Sequence, residues 1–103
     1  MARVVVEQSF SEPLSDEEQS RMGKRLDECL RVRRGSWART YLSEDKKRMV
    51  CQFDAPDAES VREALRSAGQ QFERVWSADV YDARDYPEHW EKLQTVRAAL
   101  ESG

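Results

Sequence analysis

The chain has 103 residues, close to the commonest size of a single domain, so one hydrophobic core is the natural expectation. Hydrophobic residues make up 39% and charged residues 36%, which excludes a disordered chain and predicts a modest core with a wet surface. The formal net charge of −3, with both signs mixed along the chain, offers no electropositive stripe for nucleic acid.

The N-terminal apolar run is only Val4-Val5-Val6, far too short for a signal peptide or a membrane span. We therefore expect a cytoplasmic protein with neither nucleic acid nor a membrane as partner. In that compartment Cys29 and Cys51 are expected to be free thiols.

A strand and a helix are predicted first. Residues 3–8 hold a β-branched run, typical of a strand. Ser15, with Glu18 three positions later and acidic residues in the first turn, is typical of a helix start. The helical spacing continues to Leu30, and Gly35 is its predicted stop.

A hairpin is predicted next, from strands at residues 36–44 and 47–54 joined by Asp45-Lys46. Alternation places Trp37, Arg39 and Tyr41 on one face of its first strand. Met49, Cys51 and Phe53 share one face of the second strand.

The remaining pattern predicts a helix, a strand and a helix. Asp57 can cap the first of these helices and Gly69 ends it. The strand covers residues 72–81, with Trp76 facing away from Val75 and Tyr81. Pro87 opens the last helix, whose apolar stripe consists of Trp90, Leu93, Val96 and Leu100.

The order β-α-β-β-α-β predicts an α+β, ferredoxin-like domain over residues 1–82, with a four-stranded antiparallel sheet and both internal helices on one face. Residues 83–103 form a C-terminal helical extension. Trp37, Tyr41, Val75 and Tyr81 suggest that neither sheet face is fully polar, so something must cover the second face. Either the last helix folds over it, or a second copy packs there; we expect a homodimer through the sheet face, with the last helix closing an edge or bracing the partner.

Residues 4–10, 41–45, 50–64, 68–69 and 72–75 together resemble a family of small bacterial proteins of largely unknown function, whose members are often called nickel-binding proteins. The resemblance covers about residues 2–82. It implies a ferredoxin-like domain that pairs through its sheet into a dimeric α/β barrel, with nickel as the metal to consider.

Metal ligands are sparse in this chain. Nickel favours imidazole, thiolate and carboxylate ligands. The single histidine, His89, lies outside the region of resemblance, so a family nickel site cannot be carried onto it. His89 with Asp82, Asp85 and Glu88 can offer a nitrogen and carboxylates to a metal, or can simply be solvated near a helix start.

The candidate ligand-binding residues are Trp37, Arg39, Tyr41, Cys51, Trp76 and Tyr81. Aromatic side chains would line the space between two paired sheets, where a small hydrophobic or aromatic ligand fits and Arg39 can orient an anionic group on it. The alternative is that these residues only pack an interface, and that Cys51 is a small buried hydrophobe.

Three functional hypotheses remain open. The first is a non-catalytic dimeric protein that binds a small ligand or a divalent metal such as nickel. The second is a cofactor-independent oxygenase or isomerase, which rests on fold analogy alone. The third is a structural or regulatory module that uses its C-terminal helix. The sequence contains no serine-histidine-acid set, glycine-rich phosphate loop or metalloprotease signature, so it predicts no catalytic residue.

Overall fold

The elements follow the predicted order. The computed structural model describes residues 1–102. Its strands are β1 (Ala2–Ser9), β2 (Ser36–Leu42), β3 (Arg48–Ala55) and β4 (Arg74–Ala78), and its helices are α1 (Asp16–Arg31), α2 (Ala58–Ser67) and α3 (Pro87–Ser102). The sheet order is β2-β3-β1-β4 and every neighbouring pair is antiparallel, which confirms the ferredoxin-like α+β fold.

The core lies between one sheet face and the helices α1 and α2. Alternate residues of the central strands point into it, because successive side chains of a strand face opposite sides. The fully buried members with the largest side chains are Val4, Val6, Leu30, Phe53, Val61 and Leu65. Cys51 is also buried in this core and Cys29 packs against it, as expected for small hydrophobic residues.

Both predicted helix caps are confirmed. The Ser15 hydroxyl accepts a hydrogen bond from the backbone N–H of Glu18 at 3.1 Å, and the Asp57 carboxylate accepts one from Ser60 at 2.7 Å. The Ser60 hydroxyl, followed by its backbone N–H, lowers the pKa of Asp57. Because the folded-state pKa is lowered, this cap stabilises the fold above the ordinary aspartate range and is lost as the pH falls through the folded pKa.

Replacing Ser15 with alanine should lower the free energy of unfolding by about 1 kcal/mol, because the orphan N–H of Glu18 loses its acceptor. Urea denaturation followed by circular dichroism measures the change. Ser15→Asp is the matched control, since aspartate also caps a helix; equal losses in both variants would contradict the capping role.

The end of α1 differs from the prediction. The helix ends at Arg31, and Arg34, with φ of 59°, is the left-handed residue after it. Gly35 instead permits a close approach: a Cβ there would lie 2.9 Å from Cδ2 of Leu30, which is buried. Gly69, with φ of +69°, follows α2 as predicted.

The β2–β3 hairpin turns without glycine because a side chain fastens it. Lys46 adopts φ of 64°, and Oδ1 of Asp45 accepts hydrogen bonds from the Ser43 hydroxyl at 2.6 Å and the Lys47 N–H at 3.0 Å. These bonds, the Ser43 hydroxyl first, lower the pKa of Asp45. These local hydrogen bonds of the Asp45 side chain hold the turn in a conformation that usually favours glycine.

The facing predicted for β2 is wrong. A β-bulge lies between Trp37 and Arg39, and it shifts the side-chain alternation by one residue. Trp37 therefore pairs with Phe53 on the helix side, whereas Arg39 and Tyr41 lie on the opposite face. The β4 strand is also shorter than predicted, so Tyr81 lies beyond it.

The last helix does not cover the sheet. Of the described strands and helices, only the short 3₁₀ turn Ala83–Asp85 that precedes α3 comes within 8 Å of it, measured between Cα atoms, and no α3 residue is buried. Trp90 and Leu93 are half-buried, while Val96 and Leu100 are exposed. Two elements were predicted to cover the second face of the sheet, α3 or a second copy of the chain. The position of α3 excludes the first of these.

Candidate functional site

The sheet face opposite α1 and α2, called here the open face, carries a network of polar side chains. Nε of Arg3 lies 2.9 Å from Oδ1 of Asp54, and the same guanidinium donates to Oε1 of Gln52 at 3.2 Å. Nε1 of Trp76 donates to Oε2 of Glu7 at 3.0 Å. These hydrogen bonds restrict the rotamers of the side chains on the open face.

Apolar groups are interleaved with that network. Val5 is only 6% exposed although it lies on the open face, where its cross-strand partners are Gln52 and Trp76. Tyr41 and Trp76 remain 53% and 46% exposed. Val75, which was expected to add to this face, is buried in the helix-side core instead.

A cavity of about 530 Å³, called here the open-face cavity, lies between β1, β2 and β3 and the segment after β4. Its lining consists of Arg3, Arg39, Tyr41, Gln52, Val80, Tyr81, Asp82, Ala83, Arg84 and Asp85. Three arginines and two aspartates are among them, so the lining carries an excess of one positive charge.

Arg39 is the arginine of this lining that has no carboxylate partner in the described part of the chain. Arg3 pairs with Asp54 and Arg84 with Asp82, both at 2.9 Å, whereas Arg39 forms no ion pair with any described residue. Its Nη1 donates to the Tyr41 hydroxyl at 3.1 Å, which holds the guanidinium beside the ring. A guanidinium with free donors can bind a carboxylate or phosphate through two parallel hydrogen bonds.

The Asp82 side chain in this cavity is ionised at neutral pH. The side chain of Arg84, followed by its backbone N–H, lowers the pKa of Asp82 to about 2, and the charge of Arg39 contributes a smaller part. A general base works best with a pKa near the operating pH. Asp82 is therefore suited to fixing the turn before α3 and poorly suited to proton transfer.

Trp37 and Cys51 lie on the other side of the sheet. Nε1 of Trp37 donates to Oγ1 of Thr40 at 2.8 Å, and that oxygen lies 3.2 Å from Sγ of Cys51. Burial raises the pKa of the Cys51 thiol, and the bond with Thr40 only partly opposes this. The thiol is thus protonated at neutral pH, which makes it a weak nucleophile.

The six predicted ligand residues therefore lie at three different positions relative to the sheet. Arg39, Tyr41 and Tyr81 meet in the open-face cavity, and Trp76 lies on the open face outside its lining. Trp37 and Cys51 line a second cavity between the sheet and α1. Gln52, Asp82 and Arg84 were not predicted as cavity residues. Asp82 and Arg84 follow β4, and a polar residue after a strand carries no signal of which way the chain turns, while Gln52 is an ordinary polar position within β3.

The residues of one chain do not fit a nickel centre. The described residues contain no group of three or more His, Cys, Asp or Glu side chains that could hold a metal ion. His89 is exposed in α3 and makes an edge contact with Tyr86, at a ring separation of 6.3 Å. A site for nickel normally needs several such donors together.

The fold and the open-face cavity define a small ferredoxin-like α+β protein with one uncovered sheet face. Residues 5–77 match the model of the family described as "Nickel responsive protein SCO4226-like", and the chain belongs to this family. The predicted family resemblance is thus confirmed.

The crystal structure of SCO4226 from Streptomyces coelicolor A3(2) is similar to this one. The TM-score is 0.72 at 10% sequence identity, over 79% of this chain and all of that one. At this identity the similarity establishes the fold alone. No curated protein sequence matches the chain. None of the helices described here is long and apolar enough to cross a membrane.

Proposed function

We propose that this protein is a homodimeric binding protein, paired through its open face, that holds a small ligand with an anionic group in the open-face cavity. The observation that carries the proposal is the position of α3, which leaves a face with exposed aromatic rings and an unpaired arginine uncovered. Function as a nickel-responsive protein comes from the family name alone.

Pairing is supported by the composition of the open face. Tyrosine, tryptophan and arginine are the residues enriched at protein interfaces, and Tyr41, Trp76 and Arg39 lie on this face together. A two-fold dimer uses the same patch on both copies, so each aromatic residue would count twice. The polar network would then form the wet part of the interface.

Ligand binding is supported by the cavity. A volume of about 530 Å³ lies in the range of small-molecule sites. Arg39 can bind an anionic group, while the rings of Tyr41 and Tyr81 can contact a planar body. The chemistry favours a small aromatic carboxylate or phosphate.

Sedimentation velocity over a range of concentrations tests the dimer. We expect the wild-type chain to sediment as two copies, and Trp76→Glu to weaken the association roughly thirtyfold or more, as loss of an interface hot spot does. Val32→Glu is the matched control, because Val32 is 77% exposed at the end of α1, away from this face. A wild-type chain that stays single at high concentration would remove the proposal.

Titration with benzoate and phenyl phosphate, followed by NMR, tests the cavity. Saturable shifts are expected in the wild type, with Arg39→Ala losing roughly tenfold or more in affinity through loss of charge-assisted bonds. Arg48→Ala controls for net charge, because Arg48 is exposed and outside the cavity lining. Absence of saturation with both probes would exclude the anionic ligand.

Isothermal titration with nickel, zinc and copper tests the metal version separately. Within one chain the donor set does not fit, so a metal would have to be held by residues of both copies. The lack of heat and of thermal stabilisation with all three ions would remove this version, and it would leave the benzoate experiment unaffected.

A further inference from the structure

A second cavity lies on the opposite side of the sheet. It has a volume of about 570 Å³ and opens between α1 and the strands β2 and β3; it is called here the helix-side cleft. Its buried lining residues are Leu26, Met49, Cys51 and Phe53, together with the polar Gln8. Closer to the surface the lining includes Met22, Gly23, Trp37 and Thr40, with polar residues such as Gln19, Lys24 and Asp27. The open-face cavity shares none of these residues.

The position of α1 creates the space. Among the described residues, the α1 backbone comes within 8 Å of α2 and β2 but not of the central strands, which α2 does approach this closely. Gly23 enlarges the gap in the middle of α1: a Cβ built there meets no atom within 4 Å. Glycine costs stability in a helix interior, so its presence at the wall of a cavity calls for a reason.

The β2 bulge directs a second lining residue, Trp37, toward the same cleft. Without the bulge Trp37 would share a face with Tyr41; with it, the indole lies on the helix side and its Nε1 is fixed to Thr40. The indole remains 61% exposed. Bulges often re-aim a side chain next to a functional site.

The chemistry of the walls defines the ligand. Met22 and Met49 supply flexible, polarisable thioethers that adapt to an apolar shape, and the Trp37 ring offers a flat surface. The charged residues of the lining, Asp16, Lys24 and Asp27, are exposed or half-buried, and none of its buried residues is charged. The interior has no charged partner for an ion, so a charged group could not enter without a large desolvation cost.

From this geometry we propose that the helix-side cleft binds a small, uncharged, mainly apolar molecule with a planar ring that stacks against Trp37. This site is separate from the open-face cavity and does not depend on the dimer or on Arg39. One face of the sheet would take an anionic ligand and the other a neutral one.

The neutral fluorescent probe N-phenyl-1-naphthylamine tests this site on the full chain. We expect saturable fluorescence enhancement with one molecule per chain. Gly23→Leu should weaken binding roughly tenfold or more, because its side chain fills open space in the cleft. Arg21→Leu is the matched control, since it adds a leucine to the same helix outside the cleft lining.

Trp37→Leu gives a second test from the opposite wall, should Gly23→Leu disturb folding. Its affinity should fall and Arg39→Ala should bind the probe as the wild type does. Lack of saturable enhancement in the wild type, or unchanged affinity in both Gly23→Leu and Trp37→Leu, would overturn the proposal. A second copy that fills the cleft would give the first of these results.

Discussion

Replacing Phe53 with alanine should lower the free energy of unfolding by about 3–5 kcal/mol, enough to remove much of the stability of a domain of this size. Phe53 is 2% exposed in β3, with Val4 of β1 and Trp37 of β2 as its cross-strand partners. It is the largest of the fully buried side chains, so truncation leaves a cavity in the centre of the core. The measurement is a urea titration followed by circular dichroism.

Phe53→Leu is the control for this variant, since it keeps an apolar side chain and should cost much less than alanine. Phe53 also lies at the floor of the helix-side cleft. Collapse of the neighbouring side chains would remove only the cavity part of the cost, so a loss under about 1 kcal/mol in the alanine variant would contradict the burial of the Phe53 ring.

The helix starts were predictable because their signals are local. Ser15 and Asp57 cap α1 and α2 through hydrogen bonds to the N–H three residues later, and the sequence shows both partners within one turn. The element order then restricted the fold to few topologies, because short connections make sequential elements neighbours. The family resemblance pointed to the same architecture.

The site was less predictable because its geometry depends on one shifted residue. The bulge between Trp37 and Arg39 carries no glycine, so a strict alternation placed Trp37 on the wrong face. Arg39 and Tyr41 shifted together and kept their common face. This irregularity thus moved Trp37 away from Arg39 and Tyr41 to the helix-side cleft, which Cys51 lines from β3.

Contacts between residues far apart in the sequence also cannot be predicted from a local sequence pattern. Gly23 fits the helical spacing of α1 without any sign that it borders a cleft. Likewise, the apolar stripe of α3 predicted a helix that buries one face, yet no described residue of α3 is buried. An apolar stripe predicts that a helix buries one face, but it does not identify the surface against which that face packs.

Placing two aspartates on the α3 stripe, as Val96→Asp with Leu100→Asp, should weaken the proposed dimer by roughly tenfold or more. Both side chains are exposed, at 55% and 76%, and no Cα atom of α3 comes within 8 Å of a described strand. If α3 braces the partner, the charges would be buried there without counter-ions, which is costly. Sedimentation velocity measures the change in association.

The same variant should leave the free energy of unfolding of the single chain within about 0.5 kcal/mol of the wild type, because exposed positions tolerate such changes. Thr95→Asp with Ala98→Asp is the matched control: it adds two aspartates to the same helix, on the side away from the stripe. Equal weakening by both pairs would point to net charge or helix propensity rather than to a contact. A dimer unaffected by either pair would restrict the interface to the open face and leave α3 available for a different partner.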